Sequence, residues 1–382
     1  MTAEAPMRVG VIGCGNISSV YLRNLLAFDN LEVVAVADID EDRARAQAER
    51  FGVPQVLTVD ELLASPDIEV VLDLTVPGAH ADINRRAIEA GKHIYSEKPW
   101  ATTREEGREV LCLAEQKGVR AGAAPDTFLG NSFQTARRLI DEGVIGKPLA
   151  AVAAFLGSGP ERWHPNPEFF YQPGAGPLFD MGPYYLTVLI SLLGPIRRVS
   201  SAAQISRPER TIGSGPLKGE TIPVNTPTHV SASLEFESNA VGTLLTSFDV
   251  PADTLPFIEI YGTEGTLVLP DPNRFDGPLR VFHDGEWEEI PAQDEVPTNW
   301  RGVGLADMAA AIREGRPHRA DAATAFHVLD VMQAALDSSR EGQHITPETR
   351  PSRPAPLPGG PATFPIRNGE EFFARSARQD NW

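Results

Sequence analysis

Three residues of this chain have the types and spacing to move a proton to or from an alcohol. Lys98 stands in Ser96-Glu97-Lys98-Pro99, directly after the short run His93-Ile94-Tyr95. A lysine at a strand end inside a cleft can have a lowered pKa and donate to a substrate oxygen. Glu97 could orient that lysine or contact a ribose. Asp180 and Tyr184 lie four apart in the stretch from Gly174 to Tyr185, whose glycines read as the entry to a helix. Residues at i and i+4 share one helical face, so an acid and a phenol would point together into a cleft. An ammonium beside the phenol would let it exchange protons with an alcohol or ketone. Each residue also has a plainer role: a surface ion pair for Glu97 and Lys98, a helix cap for Asp180, a packed aromatic for Tyr184.

The elements that must position these groups begin near the N-terminus. The apolar run Val9, Val11 and Ile12 stops at Gly13, and apolar residues then recur at Ile17, Val20, Tyr21, Leu25 and Phe28. That is a strand, a turn and a helix. Gly13 permits the tight turn, and Gly15 lets the backbone approach a pyrophosphate. The N–H groups from Asn16 and Ile17 onward then meet its negative charge. The third glycine of the usual fingerprint is Ser18 here. Leu31 to Ala37 reads as a second buried strand ending at Asp38. An acid about 20 residues past the loop suits the ribose hydroxyls of NAD and would repel the 2′-phosphate of NADP. Arg43 is the one cation close by in sequence. The plainer role for Asp38 and Asp40 is to cap the helix at 41–50.

The chain has 382 residues, room for two or three domains. Its net charge of −18 argues against nucleic acid and anionic membrane surfaces as partners. No apolar run reaches the length of a membrane span, and residues 1–6 lack the basic start and apolar core of a signal peptide. Only Cys14 and Cys112 are present, without metal-ligand spacing, and the histidines show none either. The expectation is a cytoplasmic protein with free thiols and no metal.

From 8 to 124 strands alternate with helices. Strands are expected at 8–12, 31–37, 70–75, 93–96 and 120–124, and helices at 16–27, 41–51, 59–64, 79–90 and 103–117. Such alternation means a parallel sheet with helices on both faces and ligands at the C-terminal strand ends. The rim then consists of Gly13–Ile17, Asp38, Thr75-Val76-Pro77, Glu97-Lys98-Pro99 and Ala124-Pro125-Asp126, where Asp126 could accept from a hydroxyl. After 126 the pattern changes to helices at 131–142, up to Leu193, 304–314 and 321–340. Strand-like runs at 149–157, 196–205, 228–237, 240–249, 257–262, 265–269, 279–282 and 286–290 indicate a mostly antiparallel sheet. The fold class is an α/β Rossmann domain (7–125) followed by an α+β substrate and oligomerisation domain (126–345). Residues 206–227 read as an arm or long loop, and the proline-rich tail 346–382 as extended or wrapped over a neighbour.

Together, Gly13-x-Gly15-x-x-Ser18, Glu97-Lys98-Pro99 and Asp180-x-Gly182-x-Tyr184 resemble the Gfo/Idh/MocA family, the glucose–fructose oxidoreductase and inositol dehydrogenase relatives, over about residues 8–345. The resemblance implies that Lys98 touches both nicotinamide ribose and substrate, that Asp180 serves beside it, and that the acid/base position, often histidine, falls on Tyr184. Thr75-Val76-Pro77-Gly78-Ala79-His80 is similar to the family's Thr-Pro-x-x-x-His, which places His80 near the nicotinamide. The family's Trp or Arg before the catalytic helix falls on Arg162-Trp163-His164, with Trp163 against the cofactor and His164 toward substrate. His229 and Arg301 are plausible pocket residues on position alone, with a structural role as the plainer reading of each. The implied partners are a sugar or polyol substrate and a second copy of the chain, as homodimer or homotetramer. The implied activity is hydride exchange between NAD and a secondary alcohol. An NAD-using glycosidase and a dinucleotide-sensing regulator of the same fold are the alternatives.

Overall fold

A computed structural model describes residues 5–292 and 299–367. Its first half is the alternating unit: β1 (Met7–Ile12), α1 (Ser18–Leu25), β2 (Leu31–Ala37), α2 (Glu41–Phe51), β3 (Gln55–Val56), α3 (Val59–Ala64), β4 (Val70–Asp73), α4 (Pro77–Glu89), β5 (His93–Ser96), α5 (Arg104–Lys117) and β6 (Ala121–Ala123). The helix boundaries are written in capping residues. Thr58 and Thr103 each accept from the third residue of the following helix, and Glu61 and Glu106 return the bond, closing two capping boxes. Gly52 and Gly118 stop α2 and α5 in the left-handed conformation. The helix expected at 16–27 starts at Ser18 instead, because Gly15-Asn16-Ile17 forms a turn closed by Ser18 N–H on the Gly15 carbonyl at 3.1 Å. The strand expected at 70–75 ends at Asp73, because the N–H and Oγ1 of Thr75 both fold back to Asp73 Oδ1, at 2.9 and 2.6 Å.

All six strands run parallel in the order β3-β2-β1-β4-β5-β6. The winding direction reverses between β1 and β4, which opens a crevice at their C-terminal ends.

The second half contains α6 (Asn131–Asp141), β7 (Pro148–Leu156), α7 (Gly176–Asp180), α8 (Gly182–Leu193), β8 (Ile196–Gln204), β9 (Glu209–Thr211), β10 (Thr221–Pro223), β11 (His229–Phe236), β12 (Val241–Ser247), β13 (Ile258–Gly262), β14 (Thr266–Leu269), β15 (Leu279–His283), β16 (Glu286–Ile290), α9 (Val303–Glu314) and α10 (Ala322–Glu341). Eight of its strands form one mixed sheet, β16-β15-β14-β13-β7-β12-β11-β8, antiparallel except where β7 meets β12. Every residue of α8 is buried, as expected of a helix that is apolar all round, and it touches β7, α6 and α10. One continuous apolar cluster runs through both halves. The halves are also joined by Arg104 of α5, which binds Asp330 (2.7 Å) and Asp337 (3.1 Å) on α10.

The arm at 206–227 is more ordered than its composition implies. β9 and β10 pair as a small antiparallel ribbon, and Ile212, Ile222 and Val224 bury against Tyr171 and Phe248 in a second small core. Arg210, almost fully buried, pairs with Glu161 at 3.1 Å and with Asp249. The tail returns to its own chain: Leu357 and Phe364 are buried, and Ile366 bridges Phe28 at the edge of the first half. Residues 368–382 of the expected tail lie outside the described residues.

Candidate active site

The glycine turn has the form a dinucleotide requires. Gly13 sits at φ +98°, and a Cβ there would lie 2.6 Å from the backbone of Leu74, so only glycine lets β1 pass β4 this closely. Gly15 differs: a Cβ there would meet nothing within 4 Å, so the loop borders open space where a ligand backbone can approach. Asn16 is exposed beside it, Ile17 is half-buried, and no side chain caps α1. Asp38 organises this loop. Its Oδ2 accepts from Cys14 N–H at 2.7 Å and its Oδ1 from Asp40 N–H at 2.9 Å, leaving each oxygen further capacity. Arg43 stands 3.7 Å from Asp38 and 3.3 Å from Asp40. Burial, reinforced by Asp38, pushes the Cys14 thiol up to about 12, so this cysteine stays a neutral packing group. Ile39 and Val76 expose 98% and 70% of their surface at the same strand ends, apolar faces suited to the flat rings of a dinucleotide. Turn, acid and apolar faces together fit NAD.

The next rim position is held by His80 of α4. It is fully buried, with Nδ1 2.8 Å from the Pro99 carbonyl and Nε2 3.0 Å from the Thr75 carbonyl. It ties the Thr75-Val76-Pro77 turn to the turn after β5. Burial raises the pKa of neighbouring Asp73, with His80 and Thr75 opposing that shift. Glu97 is similarly engaged: Oε1 accepts from the Tyr21 hydroxyl at 2.7 Å and Oε2 from Lys98 N–H at 2.9 Å. Glu97 therefore fixes the backbone that carries Lys98.

The structure brings Lys98, Asp180 and Tyr184 together. Lys98 Nζ donates to Asp180 Oδ1 at 2.9 Å and to the Asp180 carbonyl at 2.8 Å, and lies 5.3 Å from the centre of the Tyr184 ring. Two expectations are corrected. Asp180 and Tyr184 do not sit on one continuous helix: α7 ends at Asp180 and α8 begins at Gly182. Pro183 has no N–H to give and its ring crowds the carbonyl four residues back, so the helix breaks at Met181. Tyr184 N–H then bonds Met181, and the Asp180 carbonyl is left for Lys98. Nor is the lysine pKa lowered. Burial alone would depress it, but Asp180, Tyr184 and Glu97 outweigh burial and hold it above the ordinary lysine value. Lys98 is thus a fixed cation.

A further cation is Arg301, on the segment before α9, whose Nη2 donates to Asn273 Oδ1 at 2.6 Å. Burial alone would lower its pKa, but the fields of Tyr184, Tyr21 and Glu97 hold it above the ordinary arginine value. No local motif marks this arginine, and its partners are distant in sequence.

Other expected residues fall elsewhere. Asp126 is buried under the cluster, where Oδ2 accepts from Gly302 N–H (2.9 Å) and Gly304 N–H (3.0 Å) and so caps α9 instead of facing a cleft. Burial pushes its carboxyl up to about 6 against the pull of those two N–H groups. Trp163 and His164 join Phe169 and Phe170 in an aromatic cluster beside the arm, with Trp163 67% exposed and His164 Nδ1 accepting from Asn166 N–H. They share no hydrogen bond with the Lys98 cluster among the described residues. His229 bonds Ser247 on the neighbouring strand. Among the described residues no group of three or more His, Cys, Asp or Glu could hold a metal, and no helix is long and apolar enough to cross a membrane.

Comparison with known proteins agrees with this geometry. The family described as "Oxidoreductase family, NAD-binding Rossmann fold" matches residues 7–124, and the GFO/IDH/MocA C-terminal domain matches residues 133–268. A dTDP-3,4-didehydro-2,6-dideoxy-alpha-D-glucose 3-reductase of Streptomyces violaceoruber is 30% identical over 328 residues, covering 81% of this chain and 92% of that protein. A scyllo-inositol 2-dehydrogenase (NADP(+)) of Bacillus subtilis is 25% identical over 359 residues, covering 89% and 95%. In fold, the chain is similar to a levoglucosan dehydrogenase solved in complex with NADH, with a TM-score of 0.78 at 24% identity over 90% of this chain and 100% of that one. The chain belongs to the GFO/IDH/MocA family of oxidoreductases, with that family's NAD-binding Rossmann fold as its first half.

Proposed function

We propose that this enzyme oxidises or reduces a secondary alcohol or ketone of a sugar, inositol or sugar derivative, with NAD preferred over NADP. The observation that carries this is the bond from Lys98 Nζ to Asp180 directly beside the Tyr184 ring. The relatives named above act on a nucleotide-linked sugar, an inositol and, in the solved structure, levoglucosan. The cofactor would lie along Gly13 to Ile17, with its ribose toward Asp38 and its nicotinamide end past Thr75, Val76, Pro77 and Glu97 toward Lys98. When bound it supplies the hydride exchange.

The chain's own residues then do three things. Lys98, held cationic, polarises the substrate oxygen. Tyr184 takes or gives the hydroxyl proton. Asp180 fixes Lys98 in place and offers its second carboxylate oxygen to a neighbouring substrate hydroxyl. Asp38 supports NAD because its carboxylate would face the 2′-phosphate of NADP. The face of the second sheet carrying Val152, Val241, Thr243 and Leu245 is half-buried or exposed in the single chain, and we assign it to contact between copies.

The test is a screen of polyols, aldoses and inositols with NAD and NADP, following absorbance of the reduced nicotinamide. Net reduction of NAD by one of these alcohols supports the proposal. Release of free sugar from a glycoside without net reduction would make the chain a glycosidase, and tight NADH binding with no turnover of any alcohol or ketone would make it a sensor.

A further inference from the structure

We propose that Arg43 lets this enzyme accept NADP as a second cofactor, and that Asp40 limits that use by holding the Arg43 guanidinium. The inference rests on the placement, proposed above, of the adenosine ribose toward Asp38, and it assigns the residues that set the balance between the two cofactors.

The acid at the end of β2 does not act alone. The Asp38 side chain is only 6% exposed, and each of its oxygens already accepts a backbone N–H, from Cys14 at 2.7 Å and from Asp40 at 2.9 Å. Those two bonds fix the turn into α2 and occupy part of the carboxylate. The charged groups beside it that stay open to solvent are Asp40 and Arg43, whose side chains are 48% and 50% exposed. Ile39 projects between the two acids and is almost wholly exposed. Asp38, Ile39 and Asp40 therefore border the open space at the strand end in which the ribose would lie.

Asp40 engages Arg43 twice. As the N-cap of α2 it accepts the Arg43 N–H through Oδ1 at 3.2 Å. Its Oδ2 lies 3.3 Å from Arg43 Nη2, and Asp38 Oδ1 lies 3.7 Å from Nη1. The guanidinium thus reaches back from the first turn of the helix to both acids. Both distances exceed the roughly 2.7–2.9 Å of a charge-assisted hydrogen bond. Half-exposed ion pairs of this kind are weak, so Arg43 is held by charge and is free to leave. Arg45, the next cation along α2, is committed elsewhere: it pairs with Glu41 at 2.6 Å and with Asp42 at 3.7 Å.

A 2′-phosphate at this place meets two opposing fields. It carries about 1.5–2 negative charges at neutral pH, which Asp38 and Asp40 repel. Its oxygens also match the planar fork of a guanidinium, which binds phosphate through two parallel hydrogen bonds. By exchanging two loose carboxylate contacts for such a pair, Arg43 offsets part of the repulsion. With NAD no phosphate competes, and Arg43 stays with the acids. NAD is then preferred, by a margin that Arg43 narrows and Asp40 widens.

The experiment titrates NADH and NADPH, by nucleotide fluorescence, into full-length wild type, Arg43→Ala, Arg43→Lys, Asp40→Ser and Asp40→Ser/Arg43→Ala. Serine keeps the helix cap without the charge. A hydrogen bond to a charged group is worth about tenfold or more in affinity, so Arg43→Ala should weaken NADPH by about that factor and leave NADH nearly unchanged. Arg43→Lys should fall between wild type and Arg43→Ala. Asp40→Ser should tighten NADPH, and the gain should shrink when Arg43 is also replaced, because part of it comes from the released guanidinium. If Arg43→Ala leaves NADPH affinity unchanged, or weakens both cofactors alike, the role of Arg43 is refuted. If Asp40→Ser tightens NADPH equally in both backgrounds, Asp40 acts only through its own charge, and its hold on Arg43 is refuted. Neither result touches the NAD site itself, which falls only if wild type fails to bind NADH.

Discussion

Replacing Lys98 by methionine keeps the length of the side chain and removes its charge. In the structure Nζ makes two hydrogen bonds, both to Asp180, one to the carboxylate and one to the carbonyl. The substitution leaves a carboxylate and a carbonyl without their donor. Breaking a fully buried ion pair by deleting one partner costs about 3–5 kcal/mol. Here the two side chains keep 17% and 27% exposure, and hydration of the orphaned carboxylate reduces the cost to roughly 1–2 kcal/mol. For a chain of 382 residues that corresponds to a fall in Tm of about 1–2 °C. Removing both charges, as in Lys98→Met/Asp180→Leu, should recover most of that loss, because no charge is left unpaired. Activity should behave in the opposite way. Both variants should lose at least about two decades in kcat, and the single variant should also bind substrate more weakly. Thermal unfolding and reduced-nicotinamide turnover, measured on the two variants and wild type, separate these effects. If Lys98→Met is as stable as wild type, or the double variant is less stable than the single one, Lys98 and Asp180 are not the coupled pair described above.

Three further outcomes follow from the same geometry. Asp38→Ala should narrow the gap in kcat/KM between NAD and NADP, and a wild-type preference for NADP of tenfold or more, about 1.4 kcal/mol, would refute the role of Asp38. Light scattering at micromolar concentration should give the mass of a dimer or tetramer, and a clean monomer would remove the second sheet as a contact surface. The fold holds a proton on Asp126 up to about 6, against an ordinary 3.8, so this group's contribution favours the folded state increasingly as pH falls from 6 toward 4. It costs about 3 kcal/mol once pH is well above 6. Asp126→Asn keeps an acceptor for Gly302 and Gly304 without the charge, so its stability relative to wild type should rise between pH 4 and pH 7. A difference that does not change with pH would show that the buried carboxyl is not the cause.

The parts of this molecule legible in the sequence are those fixed by neighbours along the chain. The turn at Gly13, the acid at Asp38 and the strand-to-helix alternation are local, and each strand in the first half except the exposed two-residue β3 is long or apolar enough to announce itself. Lys98, Asp180 and Tyr184 were legible as a motif, but their relation was not. The four-residue spacing indicated a shared helical face, while Pro183 breaks the helix and hands the Asp180 carbonyl to Lys98. The ionisation of Lys98 depends on a carboxylate 82 positions away, which no local pattern contains. Asp126 reads as a rim residue because it follows a strand, yet its carboxylate serves backbone groups more than 170 residues later. Strands of three residues such as β9 and β10 are too short to show a period, so the arm between 206 and 227 looked irregular. Arg301 was legible only as a pocket residue by position, because the groups whose fields act on it are brought there by the fold.

The most direct test of the central claim is the turnover of Tyr184→Phe on whichever alcohol the wild-type enzyme oxidises. The substitution removes one hydroxyl from a ring that stays packed. General acid–base steps contribute on the order of 10²–10⁴ in rate, so kcat should fall by at least about two decades while NADH affinity barely moves. If Tyr184→Phe instead keeps most of its activity while His164→Ala is inactive, the proton passes through His164, and the cluster of Lys98, Asp180 and Tyr184 is structural.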